Sequence, residues 1–402
     1  MAKKKYNFLD KLLLPIAILL AIALILGTVA GNMDPRKHAI IAFFGLAYPY
    51  VLFFHIVFLA WWCISKKWLF ALASIVVIAI GLRTFKATFA FGGDKGGPEK
   101  VEGSVRMMTY NVHTFKLYGG ENDESVKEKM LKVVKDQNPD IICFQEFYTR
   151  YKGNFDIIDS LKNTLKLKHF YFVPTNKNDY EAYGLAIFSK YPIVNSGKIP
   201  FVDDYNGNMS IYADLNIKGK TLRVYNVHFQ SISFEKQDYE YLDKVKEMNT
   251  QLQPSKRILR MLKSAFLKRS GQVDLMKKEM ASCKTPYLIA GDFNDTPASY
   301  VVTQISENLN NAFIKKGSGM GKTYNGKFPN FQIDYILTSK KLEVLNYHIT
   351  EAKLSDHFPV RSDLRFIPWS ARNIFFDSKL FFLPYINITK NCYVHIWLIK
   401  LK

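Results

Sequence analysis

The sequence predicts an α/β domain preceded by an all-α transmembrane region. Two observations lead to this fold class. Residues 1–91 contain apolar segments of the length that a helix needs to cross a bilayer, roughly 20 residues. The rest of the chain alternates short β-branched and aromatic runs with helical patterns, which is typical of layered α/β packing.

Three apolar segments, at about 12–30, 39–64 and 69–82, predict transmembrane helices. The first two have the length of a full span, and the third is short. A signal peptide would also begin with lysines such as those at 3–5, but two more apolar segments follow directly. By the positive-inside rule these lysines stay in the cytoplasm. We therefore expect a multi-pass integral membrane protein whose large domain is extracytoplasmic.

The remaining sequence divides into three parts. Residues 92–104 are rich in glycine and charge and predict a flexible linker. The α/β domain follows at 105–366, and the aromatic-rich tail at 367–402 has no clear period, so it stays unassigned. The formal net charge of +20 favours anionic partners, such as phospholipid headgroups, nucleic acid or phosphorylated small molecules. The charge does not select among them.

Short runs of β-branched and aromatic residues predict the strands of the α/β domain. They are Val105–Asn111, Asp140–Glu146, Leu185–Ser189, Ile211–Ile217, Thr221–His228, Tyr287–Asp292 and Ile333–Thr338. Lys218-Gly219-Lys220 predicts a hairpin. Residues 124–137 and 254–280 have helical patterns. The second helix carries eight basic residues, which form either a solvated face or a phosphate- or membrane-facing patch.

Acidic, amide and imidazole side chains lie at the ends of these predicted strands. The motifs are Thr109-Tyr110-Asn111-Val112, Phe144-Gln145-Glu146, Tyr225-Asn226-Val227-His228, Gly291-Asp292-Phe293-Asn294, Ile333-Asp334-Tyr335 and Ser355-Asp356-His357. Any one of them is more often a turn or capping element. As an ordered set they indicate a site built by several strands.

The residue types in these motifs suit phosphate ester hydrolysis. Mg²⁺ prefers oxygen ligands and keeps water and substrate phosphate in its shell, and Mn²⁺ accepts the same ligands. Asn111 and Glu146 fit that role, with Asp356 as a further ligand or outer-shell partner. An imidazole needs a carboxylate to fix its tautomer, and Asp334 is placed to do this for His357.

From about Val105 to Leu364 the chain resembles the endonuclease/exonuclease/phosphatase superfamily, which includes sphingomyelinase, deoxyribonuclease and apurinic endonuclease domains. The Gly-Asp-Phe-Asn and Ser-Asp-His motifs, in that order, are the most specific part of the resemblance. It implies a four-layer α/β/β/α sandwich with the site at one open edge. It also implies that Glu146 is the main Mg²⁺ ligand, assisted by Asn111.

The resemblance implies further roles around the scissile phosphate. Asp334 would orient His357 toward the phosphate, and Asp292 would position the attacking water. Asn294 and His228 would contact phosphate oxygens, and His228 is also a candidate proton donor to the leaving group. Apurinic endonucleases have an acidic residue where this chain has His113, so the resemblance tilts away from that subgroup.

We therefore predict a Mg²⁺-dependent phosphoesterase, most simply a phosphodiesterase, that uses in-line attack by an activated water. Nucleic acid, a phospholipid headgroup and a phosphorylated metabolite all remain open as substrates. The expected partners are the lipid bilayer and this substrate, and no protein partner is implied. The alternative is a catalytically silent membrane-bound binding or scaffold protein that retains the fold. The complete set of motif residues argues against it.

Overall fold

The structure is a computed structural model that describes residues 8–91, 93–116, 124–201, 207–232, 234–235, 237–238, 240–241, 252–326 and 331–368. The lysines at 3–5 and the tail from 369 onward lie outside the described residues. All the elements below belong to one compact unit, Met1–Phe366.

Four helices precede the α/β domain. They are α1 (Phe8–Val29), α2 (Pro35–Ile64), α3 (Trp68–Ile80) and α4 (Leu82–Thr88). Asp34 caps α2 by accepting a hydrogen bond from the backbone N–H of Arg36, and Pro35 suits the first turn because it lacks an N–H. At the opposite end of α2, Lys67, which follows this helix, contacts the start of α1: Lys67 Nζ lies 2.9 Å from Asp10 Oδ2.

Two of these helical segments are long and apolar enough to cross a membrane. They are Phe8–Asn32, with 25 residues, and Pro35–Ile64, with 30 residues. The predicted third span at 69–82 is different, because α3 ends at Ile80 and the chain bends by 74° into α4. Only the bent pair taken together reaches the length of a third span.

The α/β domain contains two sheets. The strands are β1 (Val105–Asn111), β2 (Ile141–Arg150), β3 (His169–Lys177), β4 (Glu181–Ser189), β5 (Ile193–Pro200), β6 (Met209–Ile217), β7 (Lys220–His228), β8 (Tyr287–Asp292), β9 (Leu309–Asn311), β10 (Asp334–Ser339), β11 (Leu342–Val344), β12 (His348–Ile349) and β13 (Val360–Phe366). One sheet has the order β11-β13-β1-β2-β4-β3, with β12 on β13, and the other has the order β5-β6-β7-β8-β10-β9.

All seven predicted strands are present, with ends that shift by a few residues. The predicted hairpin joins β6 to β7, and Lys218 and Gly219 both have positive φ, 52° and 83°. Two residues of positive φ match the twist of the flanking strands. Short or irregular strands such as β5 and β9 escaped prediction because they lack a clear alternation of apolar and polar residues.

The sheets pack face to face and helices cover their outer faces. Residues such as Met107, Ile187, Ile211 and Ile336 fill the space between the sheets. Further helices in the described part of the domain are α5 (Glu124–Gln137), α6 (Ile157–Leu165), α7 (Leu252–Ser282), α8 (Tyr300–Ile305) and α9 (Ala312–Lys316). Helices α5 and α6 cover the first sheet, and α7 and α8 cover the second. The predicted four-layer α/β/β/α sandwich is therefore confirmed.

The segment predicted as a flexible linker is bound to the domain in its described part, 93–104. Arg106 Nη1 donates to the Pro98 carbonyl at 2.7 Å, and Lys100 Nζ lies 2.7 Å from Asp140 Oδ2. Glycine and charge indicated flexibility, but Arg106 of β1 donates to this backbone, and Asp363 of β13 accepts from the backbone N–H of Val101 at 3.1 Å. The described part of the predicted linker therefore makes specific polar contacts with the α/β domain.

Helix α2 packs directly against the α/β domain. A Cβ added to Gly45 would lie 2.9 Å from Ala30 Cβ and 3.2 Å from the Ala298 carbonyl, so only glycine allows this approach. Thr296 Oγ1 donates to the Gly45 carbonyl at 3.4 Å. Phe43 packs edge to face on Phe266 of α7, with 5.2 Å between ring centroids. The helix therefore continues from the apolar bundle onto the surface of the domain.

Candidate active site

The motif residues converge at one edge of the sandwich because of the strand directions. β1 and β2 are parallel neighbours in one sheet, and β7 and β8 are parallel neighbours in the other. The carboxyl ends of parallel strands meet at the same edge. Asp334 starts β10 opposite Asp292, and His228 is also opposite Asp292 in register.

Glu146 reaches this edge through an irregularity in β2. The pairing with β4 shifts register between Phe144 and Phe147, and Glu146 has a positive φ of 52°. Such a bulge redirects a side chain from its regular alternation. Gln145 therefore points between the sheets, where its Nε2 donates to Asn226 Oδ1 at 2.6 Å. Glu146 points into the site with 23% of its side chain exposed.

Asn111 lies between two carboxylates. Its Nδ2 donates to Glu146 Oε1 at 3.2 Å and to Asp292 Oδ2 at 3.1 Å. Its Oδ1 accepts from the backbone N–H of His113 at 3.1 Å. A single amide therefore separates the two acids and fixes their spacing.

Asp334 and His357 form the buried pair that the sequence predicts. Asp334 Oδ2 lies 2.9 Å from His357 Nδ1, and the Tyr324 ring packs edge to face on the imidazole at 5.2 Å between centroids. The backbone N–H of Asp334 donates to Thr323 Oγ1 at 3.0 Å. Burial alone would lower the pKa of His357, but the carboxylates of Asp334 and Asp292 raise it well above its ordinary value.

Asp292 is the central acid of the cluster. Its Oδ2 lies 3.6 Å from both His357 Nε2 and His228 Nε2. Burial raises the pKa of Asp292 to about 6, with the imidazole of His357 opposing this rise. A carboxylate with a pKa near neutrality is suited to exchange a proton with water.

His228 is almost fully buried, at 3% exposure, beside these acids. Its Nε2 is 3.9 Å from Glu146 Oε1. Neither ring nitrogen has a hydrogen-bond partner among the described residues. Buried polar atoms without partners are uncommon, so this imidazole is suited to receive a polar group from a ligand.

Asn294 lies at the flank of the cluster. It has a positive φ of 53°, and its Nδ2 donates to the Phe229 carbonyl at 2.9 Å. Arg269 of α7 donates to the Asn294 carbonyl and pairs with Asp295 at 3.2 Å. Arg269 is 1% exposed, so this one of the eight predicted basic residues lies on neither a solvated face nor a surface patch.

His113 is the site residue whose role the sequence did not indicate. Its Nδ1 lies 3.3 Å from Glu146 Oε2 and 3.8 Å from Asp356 Oδ1. The hydrogen bond to Glu146 raises the pKa of His113. Burial by itself raises the pKa of Glu146, but His113 and the imidazoles of His228 and His357 lower it to about 2.

Asp356 is connected to the cluster by its contacts with His113 and Ser355. Ser355 Oγ donates to the Asn111 carbonyl at 2.9 Å and lies 3.2 Å from Asp356 Oδ1. The structure therefore gathers Asn111, Glu146 and Asp356 on one side and Asp292, Asp334 and His357 on the other. Each of the eight residues expected from sequence lies in or beside the cluster.

The donor atoms fit a divalent cation. Asp292, Asp334 and His357 offer one ligand atom each within 4.8 Å of one another. Glu146 adds a carboxylate that is held ionised, beside the amide of Asn111. Oxygen-rich sets of this kind suit Mg²⁺ and Mn²⁺ rather than softer metals.

Two family models match the chain. The model of the Endonuclease/Exonuclease/phosphatase family matches residues 108–357. A second model, Domain of unknown function (DUF8431), matches residues 10–88. No curated protein matches the chain.

The chain is also similar to several solved structures, including these three. An endonuclease/exonuclease/phosphatase from Beutenbergia cavernae is 16% identical, with a TM-score of 0.46, over 66% of this chain and 72% of that one. The human Nocturnin catalytic domain is 19% identical, with a TM-score of 0.46, over 67% and 96%. The endonuclease/exonuclease/phosphatase from Bacteroides vulgatus is 19% identical, with a TM-score of 0.45, over 66% and 99%.

Proposed function

Because the chain belongs to the endonuclease/exonuclease/phosphatase family, we propose that it hydrolyses a phosphate ester with the help of a divalent metal ion, by in-line attack of water. The observation that carries this proposal is the buried line from Asp334 through His357 to Asp292, with contacts of 2.9 Å and 3.6 Å. It places an oriented imidazole and an acid of raised pKa next to ionised Glu146.

Glu146 and Asn111 would hold the metal ion, with Asp356 in its outer shell through His113. The carboxylate of Asp334 already contacts His357 Nδ1 and is therefore engaged. A hard cation is better placed beside the carboxylate of Glu146. When bound, Mg²⁺ supplies positive charge that neutralises phosphate oxygens. Mn²⁺ is an acceptable substitute for the same donors.

The remaining residues would act on water and on the phosphate. Asp292 positions the attacking water and accepts its proton, which the pKa of about 6 allows. His357, held cationic by Asp334 and Asp292, stabilises charge on the phosphate. His228, whose ring nitrogens have no hydrogen-bond partner among the described residues, contacts a phosphate oxygen or donates a proton to the leaving group. Asn294, at the flank of the cluster, contacts a phosphate oxygen.

We also propose that the chain is a multi-pass membrane protein with its α/β domain outside the cytoplasm. Phe8–Asn32 and Pro35–Ile64 have the length and composition of spans. Their antiparallel packing puts Asp10 and Lys67 at one end and the α/β domain at the other. The basic residues at 3–5 favour the cytoplasm for the first end.

Among the substrate classes, a phospholipid headgroup is the one that the domain packing favours. Helix α2 touches two loops that flank the site, since Gly45 contacts Thr296 and Tyr50 packs on Phe331 at 5.3 Å between centroids. Phe331 lies three positions before Asp334. A span that borders the site keeps it close to the membrane surface, where lipid phosphates are concentrated. Nucleic acid, favoured by the charge of +20, is the second candidate.

The test uses the full-length protein in nanodiscs with Mg²⁺ or with a chelator. The substrates are sphingomyelin and glycerophospholipid in the nanodisc, plasmid DNA, RNA and inositol phosphates. His357→Ala serves as the inactive variant and Asp179→Asn, on an exposed turn, as its control. Metal-dependent turnover that only His357→Ala abolishes supports the proposal. Metal-independent turnover, or turnover that survives His357→Ala, refutes the assigned site.

A further inference from the structure

A cavity of about 440 Å³ lies between the N-terminal helices and the α/β domain, and none of the candidate active-site residues lines it. The end of α1 and the bend between α3 and α4 form one wall, and α8 and α9 form the other. The bend at Gly81 touches Thr28, near the end of α1. The cavity therefore lies at the domain-facing end of the helices, where a bilayer would meet its polar boundary.

Two cations stand on opposite walls of this cavity. Arg83 belongs to α4 and Lys315 belongs to α9. No Asp or Glu is among the described residues that line it. The nearby Glu307 pairs with Lys277, and its Oε2 lies 2.8 Å from Lys277 Nζ. Lys277 lowers the pKa of Glu307 most, and the charge of Arg83 makes a smaller contribution in the same direction. The cavity is therefore positively charged and lacks a lining carboxylate to balance it.

The rest of the lining is amphipathic. The hydroxyl groups of Thr84 and Thr303 provide hydrogen-bonding groups, and Ile80, Val302 and Ile314 provide apolar surface. A volume of a few hundred Å³ is typical of a pocket for one small molecule or headgroup. The combination of paired cations, hydroxyls and apolar side chains at a membrane boundary matches a molecule with an anionic head and apolar chains.

We propose that this cavity binds the headgroup of an anionic phospholipid, with its phosphate between Arg83 and Lys315 and its acyl chains leaving along Ile80 into the bilayer. Basic residues at the membrane surface attract anionic lipids, and hydroxyl groups add hydrogen bonds to phosphate oxygens. The bound lipid bridges α4 and α9. It thereby fastens the α/β domain to the helices. The proposal rests on membrane insertion of the chain but not on its phosphoesterase activity.

The test measures lipid binding to the delipidated full-length protein by native mass spectrometry in mild detergent. A chelator is present throughout, so that lipid binding to the cavity is measured without metal-dependent hydrolysis. The probes are dioleoyl phosphatidylglycerol, dioleoyl phosphatidylcholine and soluble glycerol phosphate. We expect tighter binding of one phosphatidylglycerol than of phosphatidylcholine, and a loss of at least about tenfold for that lipid in Arg83→Gln/Lys315→Gln.

Two matched variants control this experiment. Lys86→Gln/Lys316→Gln removes two cations from the same helices at positions that do not line the cavity, and it should bind like the wild type. Arg83→Lys/Lys315→Arg keeps both charges and should retain the preference. Equal melting temperatures of the delipidated proteins exclude a folding defect as the cause of lost binding.

Three outcomes would overturn the proposal. One is undiminished phosphatidylglycerol binding in Arg83→Gln/Lys315→Gln. Another is binding of glycerol phosphate as tight as that of the lipid, which would make this a site for soluble anions. A third is release of the chain from membranes by alkaline carbonate, which would remove the premise of insertion while leaving metal-dependent hydrolysis to its own assay.

Discussion

Asp334 Oδ2 lies 2.9 Å from His357 Nδ1, and both side chains are at most 5% exposed. This contact holds the imidazole so that its other nitrogen, Nε2, faces Asp292 at 3.6 Å. The pair is supported from behind by Thr323, which accepts the backbone N–H of Asp334. Orientation of a histidine by a buried carboxylate is a recurring requirement of acid–base and electrostatic catalysis.

Asp334→Asn tests this relationship. We expect kcat to fall by about 10²-fold to 10⁴-fold with a smaller change in KM, because the imidazole loses both its orientation and the charge that keeps it protonated. Steady-state kinetics on the substrate found active gives the two parameters. Asp179→Asn should leave both unchanged, and a KM effect alone would contradict a role in the chemical step.

Glu146→Gln tests the metal site. The amide keeps the shape of the side chain but removes its charge, so we expect half-maximal activity to need at least about tenfold more Mg²⁺. Titration of activity with Mg²⁺ measures this shift. Glu343→Gln, at the exposed position of β11, is the matched control. An unchanged Mg²⁺ requirement would remove Glu146 from the ligand set.

His113→Ala tests the histidine whose contact with Glu146 only the structure shows. The imidazole contacts Glu146 Oε2 at 3.3 Å and lies between that carboxylate and Asp356. Its loss should raise the Mg²⁺ concentration needed for half-maximal activity about tenfold, because groups that orient metal ligands typically contribute that much to metal affinity. The readout is the same titration, together with isothermal calorimetry of Mn²⁺ binding. Metal affinity equal to the wild type would assign His113 a purely structural role.

Acid should destabilise the protein through Asp363. Burial by itself raises the pKa of Asp363, but hydrogen bonds from Arg106, Asn346 and Val101 lower it below its ordinary value of 3.8. A carboxyl whose pKa is lower in the folded state stabilises the fold fully above its unfolded pKa, and this contribution is lost as the pH falls toward the folded pKa. The melting temperature should therefore drop between about pH 5 and about pH 3.

Asp363→Asn provides the comparison for that profile. The variant should be less stable by about 3–5 kcal/mol at neutral pH, because it leaves buried Arg106 without its charge partner, and its acid dependence should be shallower. Asp159→Asn, an exposed helix position, should follow the wild type. Parallel acid profiles for Asp363→Asn and wild type would show that another carboxyl dominates.

Gly45→Leu tests the packing of α2 on the α/β domain. Since even a Cβ at this position would lie 2.9 Å from Ala30 Cβ, we expect a loss of about 1–3 kcal/mol and a lower melting temperature. Activity should fall as well, because Thr296 and the neighbouring loop with Asn294 move with the helix. Ala60→Leu, exposed on the same helix, should change neither property.

Several features could be predicted from the sequence because they depend on local patterns. The length of the apolar segments predicted α1 and α2. Runs of β-branched and aromatic residues bounded by turn residues predicted the strands, and β1 and β8 have the predicted first and last residues. The acids, amides and histidines stood at strand ends, and their order along the chain matched a known family. Local periodicity and residue type therefore indicated the α/β class and the candidate site residues, and the family resemblance added the four-layer arrangement.

Only the tertiary structure decided how these residues meet. The bulge that turns Glu146 into the site depends on pairing between β2 and β4, and the contact of His113 with Glu146 joins separate strand ends. Burial of Arg269 depends on the carbonyl of Asn294 as its acceptor, and the backbone N–H of Val101 in 93–104 donates to Asp363, 262 residues further along the chain. The packing of α2 and the cavity beside α4 arise between distant segments. Such contacts produce no periodic pattern in the local sequence, because their energy depends on side chains from distant segments that only the folded chain brings together.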